Sequence, residues 1–312
     1  MNRKVIKQGN NTLTVTLPKE WTKKNGIEAG DEISVVEKGK ELAINSPKAM
    51  PLSNIEIDIT GMDGSSIVLL IRGLYRRGYD KIVINTKDEK VKHIRAGMMK
   101  KVVDVVNSEV NRLVGFEVFH QTKYSFEIKS ISAEQIEDFE TVLRRIFLLT
   151  LDYYADFREA IEKREKRPSL SLMEKPDSLV KFISYASRLL NKRGYAKYDY
   201  SPFLYHLIES LELISDCMKN ALRFALNNDV KMTNYSRKIM DEIGECIQIY
   251  YDAYYKFSFE DFSKYIYKRE DIINEINSSM GKMSKGELAA IIQLRMILDL
   301  IRESLRIRAS LI

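Results

Sequence analysis

The chain has 312 residues, 45% hydrophobic and 30% charged, with a formal net charge of +6 at pH 7; this suits a soluble protein of two or three domains and excludes a disordered chain. Its two cysteines, Cys217 and Cys246, have no CxxC spacing and no histidine close by, so neither a disulfide scaffold nor a zinc site is indicated and a cytoplasmic location is expected. The apolar runs, of which Ile67 to Ile71 is among the longest, are too short to cross a bilayer, and the charged start does not resemble a signal peptide, so no membrane insertion is expected.

The charge is unevenly placed. Residues 1–27 hold six basic residues (Arg3, Lys4, Lys7, Lys19, Lys23, Lys24) and one acid, Glu20, which leaves the remainder of the chain close to neutral. A short, strongly basic module reads as an electrostatic footprint for a polyanion. Leu13, Val15 and Leu17 alternate with Thr12, Thr14 and Thr16 as in a strand with one apolar face. Pro18 suits the start of a short helix and Gly26 its end, and two further alternating runs, around Ile33 and Val35 and around Leu42 and Ile44, flank a turn at Glu37 to Lys40. The predicted order is strand, strand, short helix, strand, strand. So few apolar side chains cannot build an adequate core alone, which points to pairing with a second copy.

The run RKVIKQGNN, the following TLTVTLPKEW, the Gly26-Ile27 and Gly30-Asp31 pairs and a last hairpin ending in LAIN closely resemble the swapped-hairpin DNA-binding domains of the AbrB, MazE and SpoVT type. The resemblance implies that two chains interleave into one small β-barrel and that basic residues of the first strand, the loop and the helix face double-stranded DNA. Transferred by position, these are Arg3, Lys4 and Lys7, Asn10 and Asn11 in the loop, and Lys19, Lys23 and Lys24 on the helix. Asn10 stands where many relatives carry a basic residue; its amide can bond phosphates or adenine edges but adds no charge.

Residues 51–131 read as a small α/β module. Ile55, Ile57 and Ile59 alternate as a strand, Ser65 or Ser66 can cap a helix ending at Gly78, and KIVIN (Lys81 to Asn85) is a second strand. A longer helix is predicted from about Val91 to Leu113, followed by a hairpin of GFEVFH and YSFEIKSI, giving βαβαββ. Gly61 and Gly64 in TGMDGSS lack the lysine of a phosphate-binding loop. The module is expected to be a spacer or a sensor.

From residue 133 to 312 the periodicity is helical, in stretches of about 134–166, 177–191, 202–226, 233–257, 260–278 and 285–310. A repeat lies within them: Asp152 in LLTLDYYADF corresponds to Glu245 in EIGECIQIYY, 93 residues on, and Glu212 in SLELISDCMKN to Asp299 in MILDLIRESLR, 87 residues on. A six-helix bundle of two three-helix halves is predicted. Glu212 and Asp216, Asp299 and Glu303, and Asp152 and Asp156 are each four apart, which stacks two carboxylates on one helix face, where a hard cation could neutralise them. Solvated helix faces produce the same pairs.

The run ESLELISDCMKN resembles the third-helix signature of PhoU proteins, phosphate-transport regulators of two three-helix repeats. Glu212, Asp216 and Asn220 match its three positions; in the second half Asp299 and Glu303 match the acidic pair, and Ile307 stands where the asparagine would be. The resemblance implies a site for a divalent or trivalent ion (magnesium, manganese, iron or zinc) at Glu212, Asp216, Asp299 and Glu303, and contacts with phosphate-transporter components. The whole chain resembles archaeal regulators that join an AbrB-type domain (residues 1–48), an α/β module (51–131) and a PhoU-like bundle (133–312).

His206 and Glu209 form His-x-x-Glu once, the reverse of the Glu-x-x-His of di-iron bundles, and no nucleophile–histidine–acid arrangement is legible. No enzyme activity is expected. The expected function is a dimeric DNA-binding regulator of phosphate uptake, with an adaptor that acts on a phosphate transporter by protein contacts as the alternative.

Overall fold

The computed structural model describes residues 2–9, 12–38, 41–45, 53–94, 97–131, 138–163, 170–193, 195 and 200–311. It divides into two units, Met1–Ser53 and Asn54–Ile312.

In the first unit β1 (Ile6–Gln8) pairs antiparallel with β2 (Thr12–Thr14), with Ile6 opposite Thr14. Pro18 holds an extended backbone immediately before α1 (Lys19–Lys24). The helix closes where the Asn25 amide side chain donates to the Trp21 carbonyl (2.8 Å) and Gly26 takes a positive φ of 60°. β3 (Ser34–Lys38) and β4 (Glu41–Asn45) form the second hairpin. The order matches the sequence expectation, but the described strands of one chain remain two separate two-stranded ribbons and close no barrel. The physical reason is visible in the burial: Val5, Ile6, Leu13, Val15, Val35 and Leu42 are all exposed, so the apolar faces find too little partner surface within one copy.

The second unit begins with β5 (Asn54–Asp58), α2 (Gly64–Arg77) and β6 (Lys81–Asn85), a parallel β-α-β crossover. The cap of α2 is Asp63 rather than Ser65 or Ser66: its carboxylate accepts from both of their backbone amides, at 2.8 and 3.2 Å. The helix expected over 91–113 is instead a hairpin, β7 (Lys90–His93) with β8 (Met98–Lys101), followed by the shorter α3 (Val102–Val110). Gly97, with a φ of 65°, supplies a turn that a helix would not tolerate. β9 (Phe116–Gln121) and β10 (Ser125–Ser130) complete an antiparallel addition, and the sheet order is β5-β6-β10-β9. Ile67, Ile71 and Tyr75 of α2 and Val102, Val106 and Val110 of α3 are buried with Ile82, Ile84, Phe126 and Ile128 of the sheet.

The helices follow as α4 (Phe139–Glu162), α5 (Leu170–Arg193), α6 (Ser201–Asn227), α7 (Asn234–Tyr255), α8 (Phe259–Ser279) and, after a 3-10 turn at Met280–Lys282, α9 (Lys285–Ala309). α5 begins earlier than periodicity suggests and runs through Pro176, which has no N–H to give to the carbonyl four residues back. α4, α5 and α6 all pack on one another, as do α7, α8 and α9, and α6 against α9 joins the two trios. At that seam Ser304 donates to Ser210 at 3.2 Å in a buried contact.

The α/β layer and the helices meet where α2 packs on α5. Arg188 of α5 donates to the carbonyls of Tyr75 (3.0 Å) and Tyr79 (2.7 Å) and to the Asp80 carboxylate (2.8 Å), and Asn191 donates to the Arg76 carbonyl (2.7 Å). These cationic and amide donors satisfy the carboxyl end of α2, where carbonyls lack intrahelical partners.

Candidate functional site

In the first unit, β1 and its lead-in carry Arg3, Lys4 and Lys7, and α1 carries Lys19 and Lys23; all five side chains are exposed. Lys4, Lys7, Lys19 and Lys23 form no ion pair among the described residues. Their charges are therefore available to a polyanion. Asn10 and Asn11 lie outside the described residues, as does the side chain of Lys24, whose backbone closes α1.

The four acidic candidates of the second unit each face a cation. Glu212 on α6 accepts from Arg76 of α2 at 2.6 Å, and the same guanidinium reaches Glu209 at 3.2 Å and the Ser184 hydroxyl at 3.1 Å. Asp216 pairs with Lys219. Asp299 on α9 pairs with Arg269 of α8 at 2.5 Å, and Glu303 with Arg302 and Arg306, both at 2.9 Å. The two arginines hold the Glu303 carboxyl below its usual range. Among the described residues no three His, Cys, Asp or Glu side chains gather as a metal site. As placed, these carboxylates do not fit a hard cation, which needs several oxygens converging on one point. Ion pairs supply the neutralisation that the acidic spacing demands.

Asp152 and Asp156 behave alike: Lys175 of α5 bridges them at 2.6 and 2.5 Å. The repeat extends to this lysine. Glu245 of α7 pairs with Lys268 of α8 at 2.5 Å, and Lys268 follows Lys175 by the same 93 residues that separate Glu245 from Asp152. It breaks one residue later. Arg269, which holds Asp299, corresponds to Pro176 in the first half, so the partner of Glu212 comes from outside the bundle, as Arg76.

That substitution places Glu212 beside a cleft of about 1040 Å³ between the α/β layer and the helices. On the bundle side Glu212, Asp216, Lys219 and Arg223 line it as one stripe of α6. On the other side stand α2, the β7–β8 hairpin and α3, including Arg72, which grips the buried Glu109 with two hydrogen bonds of 2.8 and 3.1 Å. Burial pushes the Glu109 carboxyl up despite that partner. Arg112 and Asp177 pair at 2.7 Å at the margin. The sequence gives one usable hint of this cleft: the acidic pair of α6 continues at helical spacing into Lys219 and Arg223. The other wall comes from segments far away in sequence.

His206, the other tempting group on α6, lies against Ser210 at 3.3 Å, and burial pushes its imidazole below the usual range. Three tyrosines of α7 pack on Phe147, which lies 5.4 Å from Tyr250, 5.6 Å from Tyr251 and 5.5 Å from Tyr254, ring centre to ring centre, while Tyr235 and Tyr255 are exposed. The three form bundle core, not a stacking platform for bases.

Residues 6–52 match the family of antidote–toxin recognition MazE, a bacterial antitoxin. No curated protein and no solved structure matches the chain. No described helix is long and apolar enough to cross a membrane.

Proposed function

We propose that the protein is a dimeric, DNA-binding transcriptional regulator, in which the first unit grips double-stranded DNA and the second reports a chemical signal. The observation that carries this reading is the coincidence of a MazE-type match over residues 6–52 with four exposed lysines on the same short unit that form no ion pair among the described residues. Its exposed Val5, Ile6, Leu13 and Leu42 favour closure of the two ribbons against a second copy. The signal is proposed to be phosphate status. Support comes from the two three-helix groups and from the placement of Glu212 with Asp216, and Asp299 with Glu303, on the third helix of each, as in PhoU-like proteins.

A fluorescence-anisotropy titration of genomic duplexes at two salt concentrations tests the first part. Salt-sensitive binding with a preferred sequence is expected; repeating it with inorganic phosphate tests the second, through a change in operator affinity.

The exposed apolar residues of the first unit also favour a second reading, an adaptor in which that unit serves pairing alone and the helices engage a phosphate transporter. A stable dimer that binds no duplex at low salt would select it.

A further inference from the structure

The cleft between the α/β layer and α5–α6 has properties that the regulator reading does not use. Four of its five acids are already occupied: Glu109 by Arg72, Asp177 by Arg112, Glu212 by Arg76 and Asp216 by Lys219. Its cations are not all occupied. Lys90, Lys100 and Lys101 on the hairpin side and Arg223 on α6 line the cleft without an ion pair among the described residues, and Asp104 is the one lining acid in that position. A cleft with low-dielectric walls and a surplus of one sign concentrates the opposite charge. Cationic ligands and metal ions are therefore disfavoured.

Apolar side chains share the lining with these charges and with Ser65, His93 and Ser108. Leu69 of α2 and Met98 and Met99 of β8 are 58%, 56% and 58% exposed, with Val105 and Val180 beside them. Large side chains of this kind are left in water where an apolar body comes to cover them, and methionine adapts to varied shapes. A volume near 1040 Å³ suits a small organic molecule rather than a folded partner.

We propose that this cleft binds a small amphiphilic organic anion, with its carboxylate, phosphate or sulfonate head on Lys100, Lys101 and Arg223 and its apolar body on Leu69, Met98 and Met99. The head then draws together one wall from the α/β layer and one from α6. This binding does not depend on the DNA-binding reading, and its test involves no DNA.

The probe is 8-anilinonaphthalene-1-sulfonate, an aromatic sulfonate that fluoresces when its rings leave water, titrated into the full chain. Octanoate and inorganic phosphate serve as competitors. Saturable binding is expected, displaced by octanoate and not by inorganic phosphate, which lacks the apolar body. The paired reversal Lys100→Glu with Arg223→Glu should weaken it about tenfold or more. Val180→Trp, which fills the cleft without touching its charge, should remove the same bound fraction, whereas Leu13→Ser in the first unit should leave that fraction in place. Thermal melts of each variant establish that it is folded. Probe binding unaffected by both the charge reversal and Val180→Trp overturns the site. Displacement by inorganic phosphate as effective as by octanoate overturns the apolar half of the proposal.

Discussion

Arg188 of α5 and Asp80, in the turn before β6, form an ion pair of 2.8 Å with both side chains less than a tenth exposed, and it fastens the helices to the α/β layer. Lys192 reaches the same carboxylate, and the Arg188 guanidinium lies 5.0 Å from the Tyr75 ring and 4.8 Å from that of Phe116. Removing one partner leaves an uncompensated buried charge, so Asp80→Ala is expected to cost about 3–5 kcal/mol. Arg188→Lys should not restore the contact, because one ammonium cannot replace a guanidinium fork that serves two carbonyls and a carboxylate together. Urea denaturation of the full chain measures both; a wild-type midpoint for Asp80→Ala would show that the joint carries no such weight.

Gly78, two residues before that aspartate, ends α2 with a φ of 102°. A Cβ there would lie 2.9 Å from Cγ of Lys192, one of the residues on Asp80. Gly78→Ala therefore combines backbone strain with displacement of a joint residue, and a loss of roughly 1–3 kcal/mol is expected. The double variant Gly78→Ala with Lys192→Ala should recover the steric part alone, and thermal melts of the two variants separate the contributions.

Glu287 makes stability depend on acid. Burial pushes its carboxyl up, but hydrogen bonds from the Ser284 amide (2.8 Å), the Thr233 amide (2.5 Å) and the Ser236 hydroxyl (2.9 Å) outweigh that and hold it below the ordinary range. A carboxyl with a depressed folded-state pKa binds its proton less readily than in the unfolded chain, so its stabilisation is full above the unfolded value near 4.3 and is lost as pH falls through the folded value. Glu287→Gln should lower the melting temperature at pH 7, and the gap to wild type should narrow toward pH 3. An equal gap at both values would assign its effect to shape rather than charge.

Cys217 and Cys246 are buried, and loss of hydration pushes their thiols up to about 11 and about 12 respectively, with Asp216 adding to the shift at Cys217. The thiolate is the reactive form. A disulfide reagent at pH 8 should thus modify neither in the folded protein and both after denaturation, so rapid labelling of either before unfolding would contradict the burial.

How far these features were legible in sequence depends on what determines them. The helices of the bundle are set by local periodicity, which 3.6-residue patterns reveal, and the order of elements around α1 is set by Pro18 and Gly26. The β7–β8 hairpin was hidden because Val91 to Met99 also fits an apolar helix face; Gly97 was the signal against it, and a single glycine is weak evidence. The cleft and the Arg76–Glu212 pair were not legible, since they join residues 136 positions apart. The acid spacing of α6 raises the question of neutralisation, but periodicity cannot say whether a metal ion, an arginine or solvent provides it.

The first unit yields the most decisive prediction. Arg3, Lys4 and Lys23 are exposed in the first unit, so replacing all three with alanine should leave the melting transition of the Asn54–Ile312 unit unchanged. If each of the three cations neutralises one phosphate, the slope of log affinity against log salt should become shallower by about 2.7, at roughly 0.9 per contact. Affinity at low salt should fall by a similar factor for every duplex, because phosphate contacts position the protein without reading sequence. A triple variant that binds with wild-type affinity and slope would move the DNA surface elsewhere. One that loses only sequence preference would place these side chains on base edges instead of phosphates.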